Sequence, residues 1–432
     1  MKRCITLAFA ALVIFSSAAA DWLQFRGAQS NSVTGETGLP TEWSDSDGKN
    51  IAWKVDLPGK GPSSPIVVGD KVIVTSASGV NQDRLHVLAF HAADGKLAWH
   101  RQFWATGRTF THPSITSAAP TPASDGQRIF AFYSSNDLFC LDLDGNLQWM
   151  RGLAFDYPRA GNDVGMASSP AVIGSTVVVQ SESQGDSFAA GINTATGETR
   201  WKLPRKRTAN WASPVVMQGE TPDQNAVLLQ SPDRLSAHDP LTGRELWSYE
   251  AACQGIPSAV AIDGVVYLPA AGMTALRPAV GTTEPSVLWK ASSLQPGAAS
   301  PVAKNGFLYA VNRGGVLTCA ETGAGEIKWR LRLQGAFWGT PILVGDRLYC
   351  VSQEGLAQVV RLPADGTTGE IIGKGQFLEQ KEPAETKPGA RPGAPPDNAE
   401  KIQASPAVAG GALYVRSDSR LWKVALREGT PQ

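Results

Sequence analysis

Cysteine is scarce in this chain, and neither sign of charge is in excess. Among 432 residues there are five cysteines, Cys4, Cys140, Cys253, Cys319 and Cys350, with no adjacent pair and no C-x-x-C spacing. That removes zinc-ribbon, thioredoxin-type and dense disulfide scaffolds. Lys and Arg together number 39, as do Asp and Glu, so there is no electrostatic footprint for nucleic acid or for an anionic membrane. The five histidines, His86, His91, His100, His112 and His238, show no H-E-x-x-H or other metal spacing, and no G-x-S-x-G nucleophile elbow is present. Long apolar runs are missing except at the amino end. Met1 to Ala20 reads MKRCITLAFAALVIFSSAAA, two basic residues, an apolar run and small residues before position 21. This predicts a secretory signal peptide cleaved after Ala20, its apolar run too short to span a bilayer. Cys4 precedes that run, in the wrong place for lipid attachment. The mature chain is expected to carry no transmembrane segment and to be periplasmic or secreted.

What the sequence has in quantity is one hairpin, repeated. Ala237 to Trp247 reads AHDPLTGRELW, with alternating residues on both sides of a Gly-bearing turn, the signal for a β-hairpin. Gly243 suits a turn position with φ > 0, while Asp239 and Thr242 can hold the turn through backbone hydrogen bonds. Trp247 brings roughly 150–250 Å² of mostly apolar area that a lone hairpin cannot bury. The stretch recurs as GINTATGETRW ending at Trp201, CAETGAGEIKW at Trp329, AFHAADGKLAW at Trp99 and CLDLDGNLQW at Trp149; Gly95, Gly145, Gly197, Gly243 and Gly325 each stand four residues before a Trp. Upstream lies a second module, SSPIVVGDKVIV from Ser63, SSPAVIGSTVVV from Ser168, ASPVAKNGFLYA from Ala299, GTPILVGDRLYC from Gly339 and ASPAVAGGALYV from Ala404. The Ser-Pro pair is read as fixing where each first strand begins.

These modules predict an all-β fold, an eight-bladed β-propeller occupying 21–432 as a single domain. Repeats fall at 60–104, 115–153, 166–204, 211–250, 256–291, 298–333 and 337–377, and from Pro65 to Pro406 their mean spacing is about 49 residues. The eighth blade is expected to be composite, with 401–427 completed by the amino-terminal strand at 49–57, which closes the ring and leaves no open edge. Seven of the thirteen Trp residues, Trp53, Trp99, Trp149, Trp201, Trp247, Trp289 and Trp329, occupy the blade-closing slot and are assigned a docking role between blades. Two repeats depart from the pattern. The fifth has Ala259 in place of Pro and lacks the Thr-Gly turn, and the seventh has Gly373 in the Trp slot. Asp21 to Trp43 is read as a leading stretch and loop. Residues 379–400, rich in Pro, Ala and charge, predict a disordered insertion whose deletion barely changes stability.

Cys140 and Cys319 stand where Ala237 stands in another repeat and read as small buried residues, although an oxidising compartment leaves a disulfide open. Asp142, Asp239 and Glu321 share one repeat slot and therefore read as turn structure. His91 and His238 read as surface or turn residues. A ligand or partner is expected where the loops leading into first strands gather around the central opening. The residues singled out there are Arg108, His112, Arg159, Asn162, Asp163, Asn210, Trp211, Arg313, Trp338 and Gln353, with Glu182 and Asp186 nearby. Trp211 and Trp338 stand out because neither fills the repeat slot and each precedes a first strand.

Over nearly the whole mature chain the repeat resembles the A-x-D-x-x-T-G-x-x-x-W signature of pyrroloquinoline-quinone (PQQ)-type propeller repeats, best at Ala237, Asp239, Thr242, Gly243 and Trp247. The DWLQFRG opening, the run LPTEWSDSDGKNIAWKVDLPGKGPSSP to Pro65 and GDSFAAG at Gly185 to Gly191 are similar to exported propellers of planctomycetes and related bacteria, which are described as similar to the outer-membrane assembly factor BamB. The resemblance implies an eight-bladed propeller in which each Trp docks between neighbouring blades; the function expected is an exported, non-enzymatic, monomeric scaffold, BamB-like, that binds another envelope or secreted protein. Quinoprotein dehydrogenases share the fold, and for them the resemblance implies a disulfide between adjacent cysteines and a Glu-Asn-Asp set for calcium. No adjacent cysteines exist here, so no catalytic residue, no metal and no cofactor is expected. A PQQ- or small-ligand-dependent oxidoreductase, with PQQ and calcium, and a carbohydrate-binding propeller are the alternatives.

Overall fold

The apolar run that starts each repeat becomes a short strand with no exposed residue, as in Ile66–Val68 and Ile342–Val344. The computed structural model describes residues 21–112, 115–161, 164–279, 281–379 and 400–426. In it each repeat forms one antiparallel sheet whose strands follow chain order. Blade 1 spans 66–104, blade 2 123–152, blade 3 171–204, blade 4 215–250, blade 5 260–291, blade 6 302–332 and blade 7 342–376. Blade 8 is composite as expected: Ile51–Asp56 pairs antiparallel with Arg420–Val424, Trp53 opposite Lys423 and Val55 opposite Leu421. Within blade 1 the second and third strands, Lys71–Ser78 and Arg84–His91, are buried over nearly their whole length, whereas the outermost, Leu97–Trp104, alternates. The core is accordingly distributed between blades. Ile66, Ile73 and Val87 of blade 1, for example, pack against Ile129, Ala131 and Phe139 of blade 2.

The ring closes through side chains that precede the first strands. Ser64 N–H donates to Thr121 Oγ1, Thr121 to Ser169 Oγ, Ser169 to Ser213, Ser213 to Ser258, Ser258 to Ser300, Ser300 to Thr340 Oγ1, Thr340 to Ser405 and Ser405 back to Ser64, every bond 2.9–3.0 Å. This belt satisfies a backbone donor of each blade at a level where no sheet partner exists. The Ser-Pro pair therefore does more than start a strand. Its hydroxyl also stands where Pro is replaced, before Ala259.

Farther out the blades lock through Gly and Trp. Trp99 Nε1 donates to Leu143 O at 2.8 Å, Trp149 to Thr194 O at 3.0 Å, Trp201 to Pro240 O at 2.9 Å and Trp289 to Thr322 O at 2.8 Å. The following blade's turn glycine lies flat on each indole, so that a Cβ at Gly145 would come 2.6 Å from Trp99 and one at Gly243 2.6 Å from Trp201. Gly243 also has φ 72°. The turn itself forms as expected, with Leu241 N–H and Thr242 N–H both donating to Asp239 Oδ1. His91 is exposed, but His238 is not the surface residue expected. It is buried, its Nδ1 3.0 Å from Gly243 O and its Nε2 2.9 Å from Ser236 Oγ, because the third strand of a blade is covered on both faces.

Blade 7 corrects the sequence reading at the amino end. Val33–Thr34 and Trp43–Ser44 do not form part of a loop; they add to this blade as parallel edge strands, giving six. Trp43 thereby enters from outside the repeat and lies over Gly375, while the backbone of Thr41 occupies the room at Gly373. The expected insertion and the expected signal peptide fall mostly or wholly outside the described residues.

Candidate functional site

The belt residues line a central cavity of about 360 Å³, and the loops that arrive at the first strands supply its mouth, including His112, Ile115, Val164, Trp211, Ile256 and Trp338. Each indole is held in place. Trp211 donates from Nε1 to Gly165 O and from its backbone to Gly255 O, both at 2.8 Å. The Arg313 guanidinium lies 4.8 Å from the Trp338 ring centroid, a cation–π arrangement. Eight hydroxyl-bearing residues below and apolar and aromatic residues above give the cavity a polar waist and an apolar lip.

Its far end is stoppered by the segment after Asp21. The inner edge of each first strand has N–H groups with no sheet neighbour, and this segment supplies acceptors. Ser124 N–H donates to Leu23 O and Val172 N–H to Gln24 Oε1, both at 2.8 Å, and Leu343 N–H to Ser32 O at 2.9 Å; Val216 N–H reaches Ser30 Oγ at 3.4 Å. Trp22 exchanges two backbone bonds with Val67. Phe25 from this plug faces the cavity.

Of the residues singled out in the sequence, the structure gathers His112, Trp211 and Trp338 at the cavity, with Arg313 against Trp338. Arg108 is exposed, its guanidinium 5.4 Å from the Phe110 ring centroid. Arg159 is exposed and paired with Asp186 at 3.1 Å, and Gln353 bonds through its backbone to Ala336 and Ile402; neither lines the cavity. Asn162 and Asp163 lie outside the described residues. Asn210 is buried and donates to Gln230 O at 2.8 Å, so it presents nothing to a partner.

Asn210 belongs to an enclosed polar network between blades 3 and 4. Glu182 Oε1 accepts from Arg205 Nε at 2.8 Å, from Ser231 Oγ at 2.6 Å and from Gln180 Nε2 at 2.9 Å. Burial raises the Glu182 pKa, against the opposing pull of Arg205 and the hydrogen bonds. A second set, missed in the sequence, lies in blade 1: Ser78 Oγ is 2.8 Å from His86 Nε2, and His86 Nδ1 is 2.9 Å from His100 Nε2. Among the described residues no three His, Cys, Asp or Glu side chains stand close enough to share a metal ion. Nor is any helix there long and apolar enough to cross a membrane.

Eight blades in a hydroxyl-linked ring, seven of four strands and one of six, locked by Gly and Trp, define a PQQ-like β-propeller. A family profile described as outer membrane protein assembly factor BamB matches residues 27–249 and 274–395, and the chain belongs to that family. Over 171 residues it is 30% identical to the serine/threonine-protein kinase AfsK of Streptomyces griseus, covering 36% of this chain and only 20% of that protein. Among solved structures it is similar to BamB from Moraxella catarrhalis, with a TM-score of 0.60 and 16% identity over 88% of this chain and 99% of that one. It is also similar to a europium-containing methanol dehydrogenase, TM-score 0.64 and 11% identity over 94% and 98%, and to the quinohemoprotein alcohol dehydrogenase of Comamonas testosteroni, TM-score 0.62 and 11% identity over 96% and 82%. At such identities these structures share the fold alone.

Proposed function

We propose that this protein is an exported, non-enzymatic propeller that docks another protein at the cell envelope, on the face where the central cavity opens. The observation that carries this reading is a one-ended cavity whose lip holds two anchored indoles, Trp211 and Trp338. Large aromatics held rigidly around a recess are the usual source of binding energy at a protein interface. The family description, an assembly factor of the outer membrane, and the signal-like Met1 to Ala20 agree with an envelope partner. The test is a cross-linking pull-down from envelope fractions with the wild-type chain and with a Trp211→Ala, Trp338→Ala double variant. The wild type should capture a defined partner that the folded double variant loses; equal capture by both removes this face from consideration.

We assign no quinone cofactor. The four described cysteines are separate free thiols, and the buried carboxylate beside Asn210, that of Glu182, already has a cation against it in Arg205. These residues do not fit PQQ with calcium. The cavity volume does favour a second reading, since about 360 Å³ falls within the range of small-molecule sites. A glycan array tests a carbohydrate. Addition of the quinone with calcium, read as a bound chromophore and dye-linked alcohol oxidation, tests the oxidoreductase.

A further inference from the structure

The four most exposed large apolar side chains among the described residues are Val80, Phe155 (81% exposed), Trp104 (60%) and Phe110 (60%). All four leave the same end of blades 1 and 2. Val80 lies between the second and third strands of blade 1, Trp104 ends its fourth strand, Phe110 belongs to the segment leading on to blade 2, and Phe155 follows the fourth strand of that blade. In a propeller these connections share one face, here the face on which the central cavity opens. Other exposed apolar residues, such as Leu97, Leu147 and Leu241, are scattered over the outer turns and strands of separate blades.

The backbone draws the four together. Trp104 stands opposite Arg84 in the sheet, and Ala105 N–H donates to Asp83 O at 2.9 Å, beside the turn that carries Val80. Thr106 then crosses to blade 2, where its backbone N–H and its hydroxyl both donate to the Asp137 carboxylate. A Cβ on Gly152 would come 2.7 Å from Thr106 Oγ1 and 3.1 Å from Phe155 Cδ2, so the crossing segment lies against the turn that presents Phe155. Two residues beyond Phe110, His112 lines the cavity mouth. The aromatic residues thus form a strip from the rim of blade 1 inward to the recess, of the kind that marks an interaction site on a soluble protein.

The charge along the strip is one-sided. The Arg84 guanidinium lies 5.5 Å from the Trp104 ring centroid and that of Arg108 5.4 Å from the Phe110 ring centroid. The carboxylates nearby are already engaged or turned inward. Asp156, next to Phe155, holds Arg151 at 3.2 Å and Lys202 at 2.9 Å, and Asp83 Oδ1 is directed at Gly79 within its own turn. In a chain with equal numbers of acidic and basic residues, this strip presents guanidinium groups held on rings and no spare carboxylate. Its electrostatic complement is acidic.

We propose that the strip docks a segment of a partner protein in which acidic residues stand beside aromatic or other large apolar ones. The carboxylates meet Arg84 and Arg108, the apolar side chains cover Trp104, Phe110 and Phe155, and the contact continues into the cavity mouth. This rests on the docking reading given above and extends it away from the axis. A bilayer is the poorer match, since its surface is flat whereas the strip runs into a recess.

Panning a random dodecapeptide phage library on the full chain should enrich peptides with Asp or Glu beside aromatic residues. A fluorescent copy of the commonest one should bind the wild type, and the Trp104→Ser, Phe155→Ser double variant should weaken it about tenfold or more. Arg84→Glu should weaken it more than Arg84→Lys does. These side chains are exposed, so each variant should keep the wild-type melting temperature. Failure to enrich any peptide, enrichment of neutral or basic ones, or equal binding by the double variant overturns the proposal. So does a dimer of the full chain, or its sedimentation with phosphatidylglycerol vesicles, that the double variant abolishes, because a second copy or a membrane would then cover the strip. In the envelope pull-down, a partner lost by the Trp211, Trp338 variant but kept by the Trp104, Phe155 variant leaves the docking reading standing and removes this one; loss by both supports this one; loss by neither removes both.

Discussion

Trp43 lies directly over Gly375, in a blade whose own Trp slot is occupied by Gly373. The indole is stacked 6.3 Å from the Tyr349 ring and lies 5.4 Å from Phe377, nearly fully buried, and a Cβ on Gly375 would fall inside it. A residue about 330 positions upstream thus sets an indole against the second-strand tyrosine of blade 7, as Trp329 does against Tyr309 in blade 6, and Gly375 admits it while Gly373 admits the backbone of Thr41. Trp43→Ala should cost about 3–5 kcal/mol, the usual range for emptying an aromatic core site. Gly375→Ala should cost a similar amount although its φ is not positive, because the added carbon displaces the ring. Urea denaturation of both variants checks this. An unchanged midpoint in Gly375→Ala would mean that the ring does not sit there.

The belt hydroxyls predict a different kind of loss. Ser213→Ala removes no appreciable volume, but it leaves the Ser169 N–H, now paired at 2.9 Å, buried without an acceptor. That should cost about 1–3 kcal/mol, where an exposed control such as Ser293→Ala should cost almost nothing. If the two variants denature alike, the belt contributes no stability.

Blade number and ring closure were legible because Gly and Trp recur at a fixed interval and because Ile51 to Val55 looks like a fourth strand lacking its first three. Trp211 and Trp338 were legible for the opposite reason, being tryptophans outside the interval. The belt was half visible. Ser-Pro stands out, but Thr121, Thr340 and Ser258 before Ala259 show that the hydroxyl is the shared element, and its partner lies one whole repeat away. The plug was not visible. Trp22 to Ser32 has no repeat and works through backbone carbonyls and single side chains against distant blades. Asn210 misled because it adjoins Trp211, yet it is turned into the interior beside Gln230.

The thiols should behave as core residues. Cys140, Cys319 and Cys350 are buried and Cys253 partly so. Burial pushes the pKa of Cys140, Cys253 and Cys319 up to about 12. Since only the thiolate is reactive, an aromatic disulfide reagent should label the native protein slowly, Cys253 first, and all four in denaturant. A non-reduced mass two protons short would reveal a disulfide and refute this assignment.

His86 and His100 make stability depend on pH with a defined sign. Each offers one ring nitrogen to the other at 2.9 Å, a contact that needs one donor and one acceptor and so fails when both rings are protonated. Burial, the charge of His100 and that of Arg84 lower the His86 pKa from 6.5 to about 4, and burial and Arg101 lower that of His100. The unfolded chain takes up these protons before the folded one does. The stability is therefore fully present above pH 6.5, the ordinary His86 value, and is lost as pH falls toward about 4. His238, lowered mainly by burial, adds in the same direction. The urea midpoint should fall between pH of about 7 and about 4.5, and His86→Gln, which keeps a hydrogen-bonding group near Ser78, should flatten that fall relative to wild type. Because carboxylates also titrate as acid is added, the comparison of slopes carries the test: equal slopes in the two proteins would take the histidine pair out of the pH response.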